Sequence, residues 1–161
     1  MKTLKYIGLL LMLAIACGCG SSHPSDASLL ANFENHEEDF ETLLNMLRED
    51  KKLRRVDEDW TDPDDLSMIG VSEGRIRDYR ALFAKLRVPR GFCAHHGPEV
   101  FTLIASTYGL SVSGSSKGYE YREEAPDQVV ADLDSYWSNG DSFRAYRHID
   151  GNWYLYFDFE D

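Results

Sequence analysis

The residues best equipped for chemistry lie at positions 88–98, VPRGFCAHHGP, where Cys93, His95 and His96 offer one thiol and two imidazoles. A tetrahedral zinc site needs a third or fourth ligand at a recognisable spacing. This run matches no such motif, and the nearest further imidazole is His148. Cys93, His95, His96 and His148 are therefore only weak metal candidates, and no metal or cofactor is expected. An imidazole can draw the proton from a thiol and so make a nucleophile. Such pairs are normally distant in sequence, so the expectation is a half-buried Cys93 beside two loop histidines, with no catalytic residue assigned. Residues 113–118, SGSSKG, superficially suggest a phosphate loop. They lack the G-x-x-x-x-G-K-[ST] spacing and run into strand-like Tyr119-Glu120-Tyr121 instead of a helix, so a flexible connection is expected. Asp57, Asp59, Thr61 and Asp65 fall at EF-hand ligand spacing. The sixth position is then Asp62 where Gly is required, and the twelfth is Met68 where Glu is required. A solvated turn, with Trp60 pinning it to the core, is the expected structure of 51–68.

A binding surface is the better prospect. Residues 146–159, YRHIDGNWYLYFDF, place Asp150-Gly151 between two aromatic runs, the signature of a β-hairpin. A two-residue turn on Asp150-Gly151 would set His148 opposite Trp153. A type I turn over 148–151, with Gly151 as a left-handed bulge, shifts the pairing by one residue. That second register gathers Phe143, Ala145, Trp153, Leu155 and Phe157 on one face and Arg144, Tyr146, Tyr154 and Tyr156 on the other. Because a one-residue slip exchanges the faces, the apolar pattern selects the second register. Arg144, Tyr146, Tyr154 and Tyr156 then form a candidate binding surface, since Tyr and Arg are favoured at interfaces.

Several elements must carry these residues. Leu29, Leu30, Phe33, Phe40, Leu43, Leu44 and Leu47 recur at spacings of three and four, predicting a helix from about Asp26 to Asp50 capped by Ser25 or Asp26. Ser72 caps a second, basic helix with Ile76, Tyr79, Leu82, Phe83 and Leu86 as its stripe, whose charge should complement the acidic first helix. Residues 100–106 and 110–113 read as strands about a turn at 107–109. Val129, Val130, Leu133, Tyr136 and Trp137 suggest a third helix from Pro126, stopped by Asn139-Gly140. The order α-α-β-β-α-β-β predicts an α+β fold, an antiparallel sheet of about four strands with helices packed on one side.

The N-terminus, MKTLKYIGLLLMLAIACGCG, has a charged start at Lys2 and Lys5 and an apolar core over 7–16 that is too short to span a membrane. Ala14-Ile15-Ala16-Cys17 resembles a bacterial lipobox, which implies cleavage before Cys17 and lipidation of its thiol, with Cys19 as the alternative. The organisation expected is a lipoprotein signal peptide at 1–16, a tether at 17–25 in which His23 is solvated, and a single domain at 26–161. Gly18 after Cys17 resembles outer-membrane sorting, facing the periplasm in a Gram-negative cell. The motifs GSSKGYEY and GNWYLYF are similar to stretches of bacterial secreted and lipoprotein-like envelope proteins, a resemblance that covers the last third of the chain and implies no activity.

The chain carries a formal charge of −11, and losing Lys2 and Lys5 with the leader makes the mature body about −13. Such a body is repelled by nucleic acid and anionic headgroups and stays at a membrane through acyl chains. The function expected is that of a lipid-anchored cell-envelope binding or interaction module, with the membrane and an envelope protein as partners. The alternatives are an immunity-type inhibitor of a basic toxin and an enzyme using the Cys93/His95/His96 loop. Cys17→Ala is expected to abolish incorporation of radiolabelled palmitate and membrane retention. Labelling at the wild-type level would move the anchor to Cys19.

Overall fold

The computed structural model describes residues 23–94, 100–110, 113–136 and 142–161. Among these, the helices α1 (Asp26–Asn35), α2 (Glu37–Glu49) and α3 (Glu73–Leu86) accompany a seven-stranded sheet. The strands are β1 (Arg55–Val56), β2 (Thr61–Asp62), β3 (Phe92–Ala94), β4 (Val100–Leu110), β5 (Ser113–Arg122), β6 (Phe143–Asp150) and β7 (Trp153–Glu160). Their spatial order is β2-β1-β3-β4-β5-β7-β6, antiparallel throughout. The α+β class agrees with the sequence pattern, whereas the expected four strands and element order do not. Segments 51–68 and 88–98, expected as loops, supply the extra strands β1, β2 and β3. Strand β4 runs through the expected turn at 107–109, and the supposed flexible connection at 113–118 is the first half of β5. No helix among the described residues is long and apolar enough to cross a membrane.

Two adjacent rows of residues across the sheet show why it has two unlike faces. One row runs Thr61, Val56, Phe92, Leu103, Tyr119, Leu155, Arg147 from β2 to β6. Its apolar members meet Leu29, Phe33, Phe40, Leu44, Ile76, Tyr79 and Phe83 of the three helices in one buried core. The other row runs Asp62, Arg55, Cys93, Thr102, Glu120, Tyr154, His148. Period-two alternation assigns the first row to the helix-covered face and the second to the opposite face.

The expected first helix is broken at His36, whose φ of −136° is not helical. Asn35 and His36 are weak helix formers, and Glu37, Glu38 and Asp39 favour the first turn of a new helix. The break lets Phe33 and Phe40 pack together at 4.8 Å and both meet Trp153. Helix α3 is capped by Ser72 and ends on Arg87 in the left-handed region. Its basic side chains answer α2 as its charge pattern implied. Arg75 pairs with Glu49 at 2.6 Å and Asp50 at 2.7 Å, and Lys85 with Asp39 at 2.8 Å.

The third predicted helix does not form over the described part of its span, 126–136, and Trp137, Asn139 and Gly140 lie outside the described residues. Side chains here bond to local backbone in competition with a helix. Asp132 accepts from Asp134 N–H and from Ser135 Oγ, and Val130 N–H donates to Tyr146 C=O at 2.7 Å. Val129 thereby bridges β6 instead of facing a core, and it is exposed. Trp60 does not pin its loop either. It is 46% exposed, with the Arg55 guanidinium 5.3 Å from its ring.

The β6–β7 hairpin takes the bulged register, with Tyr146 opposite Tyr156, His148 opposite Tyr154, and Gly151 at φ +51°. A second bulge, in β4 between Ile104 and Ser106, lies beside Gly118 of β5. A Cβ there would stand 2.0 Å from Leu103 C=O, so only Gly fits beside that backbone. Trp153→Ala is expected to cost about 3–5 kcal/mol in urea melts. Tyr156→Ala should cost a comparable amount, since Tyr156 is fully buried on the other face. Gly118→Ala should cost roughly 2 kcal/mol or more. A Tyr156→Ala loss below about 1 kcal/mol would mean that the outer face is not packed.

Candidate functional site

Cys93 and His148 share one row of the sheet but stand four strands apart, on β3 and β6. At about 4.8 Å per strand that is a separation of roughly 19 Å, so the two cannot ligate one metal or act as one dyad. Cys93 lies in a strand, half-buried and free, and not in the loop expected. His95 and His96 lie outside the described residues. His148 is exposed and bonds Gly151 C=O at 3.0 Å. Asp57, the first ligand of the calcium reading, is buried and paired with Arg55 at 2.7 Å.

Arg144, Tyr146, Tyr154 and Tyr156 do come together on the outer face. They are packed, however, and not displayed. The three tyrosines are buried and form their own cluster. Arg144 covers Tyr156 at 4.5 Å from ring centroid to guanidinium and reaches the buried Glu120 at 2.6 Å. Glu120 also accepts from Thr102 Oγ at 2.9 Å. Burial alone would lower the Arg144 pKa, but the Glu120 carboxylate outweighs it and holds Arg144 above the usual arginine value. Burial likewise pushes the Tyr156 hydroxyl up. Glu120, Thr102 and Arg144 bond one another in this layer and its tyrosines are buried, so the expected binding surface is a polar second core.

The concave site lies at the start of α1, on the helix-covered face. It is a cavity of about 560 Å³ lined by His23, Ser25, Lys117, Leu133, Asp134, Tyr136 and Phe157. Strand alternation points Lys117 inward, beside Phe157 of β7 and in the same face as Tyr119 and Tyr121. Only 3% of its side chain is exposed. A buried ammonium needs partners, and Lys117 Nζ has Asp26 Oδ1 at 2.7 Å and Asp134 Oδ1 at 2.5 Å. Asp26 Oδ2 receives Leu133 N–H at 2.8 Å and Arg147 Nη1 at 3.0 Å. In return, Asp26 N–H donates to Asp134 Oδ2 at 2.9 Å. The two aspartates thus clasp the first turn of α1 to the irregular segment that replaced the predicted helix. Burial by itself would raise the Asp26 carboxyl. The bonds from Lys117, Leu133 N–H and Arg147 outweigh burial and hold it below the usual carboxylate range.

His23 is not the solvated tether residue expected. Its ring nitrogens lie 2.7 Å from Ser106 Oγ and 2.7 Å from Ser115 Oγ, and its ring meets Tyr108 and Phe157 edge-on. Burial, with the Lys117 charge adding to it, lowers its pKa to about 4. The imidazole is therefore neutral at pH 7. An aromatic wall continues from Phe157 through Phe143 to Tyr136, at centroid separations of 5.5 and 5.2 Å. Asp26, Asp132 and Asp134 bring carboxylate oxygens within 4.8 Å of one another. Lys117, Arg147 and Leu133 N–H already occupy Asp26, which leaves a poor metal cage.

None of Lys117, His23, Asp26 or Asp134 was singled out as a site residue from the sequence. The available signal was Ser115-Lys117-Tyr119-Tyr121, a lysine at an inward position of a period-two run. Lys117→Ala is expected to destabilise the fold by about 3–5 kcal/mol, because it strands the buried Asp26 carboxylate. A urea-melt loss below about 1 kcal/mol would show that the arginine alone satisfies Asp26.

Comparison of the chain with protein-family models, curated proteins and solved structures finds no match.

Proposed function

We propose that this chain is a lipid-anchored cell-envelope protein that acts by binding a small ligand in the cavity beside His23. The observation that carries the reading is a cavity of about 560 Å³, inside the size range of small-molecule sites. Its walls are apolar and aromatic, and its polar groups converge from His23 and Ser25 ahead of α1, from Lys117 of β5 and from Asp134. Those groups favour binding over catalysis because their protons are committed. Lys117 is held between two carboxylates, and both His23 nitrogens face serine hydroxyls. A general base must be free to take a proton from its substrate. The envelope location rests on the leader and on Cys17.

A second reading, interaction with a basic protein partner, has its own support. Exposed Trp60 sits among exposed Glu58, Asp59, Asp64 and Asp65, and exposed tryptophans are frequent interface anchors. The enzyme alternative rests on Cys93, His95 and His96, of which Cys93 alone lies among the described residues.

Saturation-transfer NMR on the mature chain, with a mixture of small apolar amines, alcohols and carboxylates, tests the ligand site. At least one class should show transfer, and the hits should lose it in Tyr136→Ala. No transfer from any class would sink the reading.

A further inference from the structure

The geometry points to an organic cation, an ammonium group carrying apolar substituents, as the ligand of the cavity beside His23. This rests on the proposal that the cavity is the binding site.

Two independent features select that class. The first is the wall. Tyr136 and Phe157 line the cavity, and Phe143 joins them edge-to-face behind it. Aromatic rings attract cations through their quadrupole, and quaternary ammonium groups in particular. The second is the charge. Three carboxylates, Asp26, Asp132 and Asp134, stand together, and Lys117 and Arg147 are the cations paired with Asp26 and Asp134. One negative charge is left over in this cluster. His23 does not offset it, because its imidazole is neutral at pH 7. Of the three carboxylates, Asp134 is the one that lines the cavity, and it keeps 42% of its side chain exposed toward an entering ligand.

Other classes fit less well. An anion would enter against Asp134. A hard metal ion needs several free oxygens, and those of Asp26 are taken. A neutral apolar molecule would cover the Asp134 carboxylate and return nothing for its lost hydration.

Three molecules of one shape separate these cases: choline, its uncharged isostere 3,3-dimethyl-1-butanol, and the anion 3,3-dimethylbutanoate. Each is titrated into the mature chain and followed by calorimetry. Choline should bind at least tenfold more tightly than the alcohol, and the carboxylate should not bind. Tyr136→Leu, which keeps an apolar wall but removes the ring, should cut the preference for choline over the alcohol severalfold. Phe157→Leu is the companion variant, and circular dichroism establishes that each is folded. Binding of the alcohol as tight as that of choline overturns the cation while leaving the cavity as a site. Tightest binding of the carboxylate overturns it too and makes Lys117 the recognising group. If none of the three binds while another member of the NMR mixture does, the cation is again wrong. If nothing binds in either experiment, both proposals fall together.

Discussion

A lysine inside the protein governs the geometry of everything around it. Lys117 sits on the apolar side of β5, where an isolated ammonium would cost several kcal/mol of lost hydration. It is tolerable only because Asp26 and Asp134 converge on it. That requirement fixes the start of α1 over the sheet and holds residues 132–134 against it. It also accounts for the irregular course of 126–136. Leu133 N–H is spent on Asp26 and so cannot serve a helix, while the Asp134 carboxylate accepts from Asp26 N–H. The cavity is the space left between these clasped segments and β7.

The outer face solves a related problem differently. No helix among the described residues covers it, yet Glu120, Thr102 and Tyr156 are buried there. Long side chains supply the cover. Arg144 lies across Tyr156 and Tyr146 while bonding Glu120 and Asp158, and Arg122 lies over Tyr146. Arginine suits this task because its planar group stacks on rings and binds carboxylates at the same time. A row of alternating polar residues can therefore pack as tightly as an apolar one without forming a docking surface.

Much of the scaffold was legible in the sequence, and particular residues show why. Asp150-Gly151 between aromatic runs determined the last hairpin and its register, since only one register sorts Trp153, Leu155 and Phe157 from the tyrosines. Ser72 and the stripe from Ile76 to Leu86 marked α3 correctly. Strands of two or three residues, such as Arg55–Val56 and Phe92–Ala94, are too short to display a period, so the sheet was undercounted. The site was less legible than the fold. Lys117 was hidden in a Gly/Ser run that looks flexible, and His23 in a stretch that looks like a linker. Both are fixed by partners 83 to 92 residues away along the chain for His23 and by Asp26 for Lys117. No local pattern encodes such contacts.

The distance along the chain between Asp26 and its partners bears on when the protein can fold. Asp26 meets Leu133 and Asp134 across 107 and 108 residues and Arg147 across 121. Long-range closures of this kind slow folding, because the loop entropy must be spent before the contacts form. During synthesis α1 emerges first and waits for β6, almost the last element made. The N-terminal half has no complete core of its own in the meantime, since Phe33 and Phe40 need Tyr119 and Trp153. Closure of the core around Phe33 and Phe40 therefore has to wait for β5 and β7, which are made late in the chain.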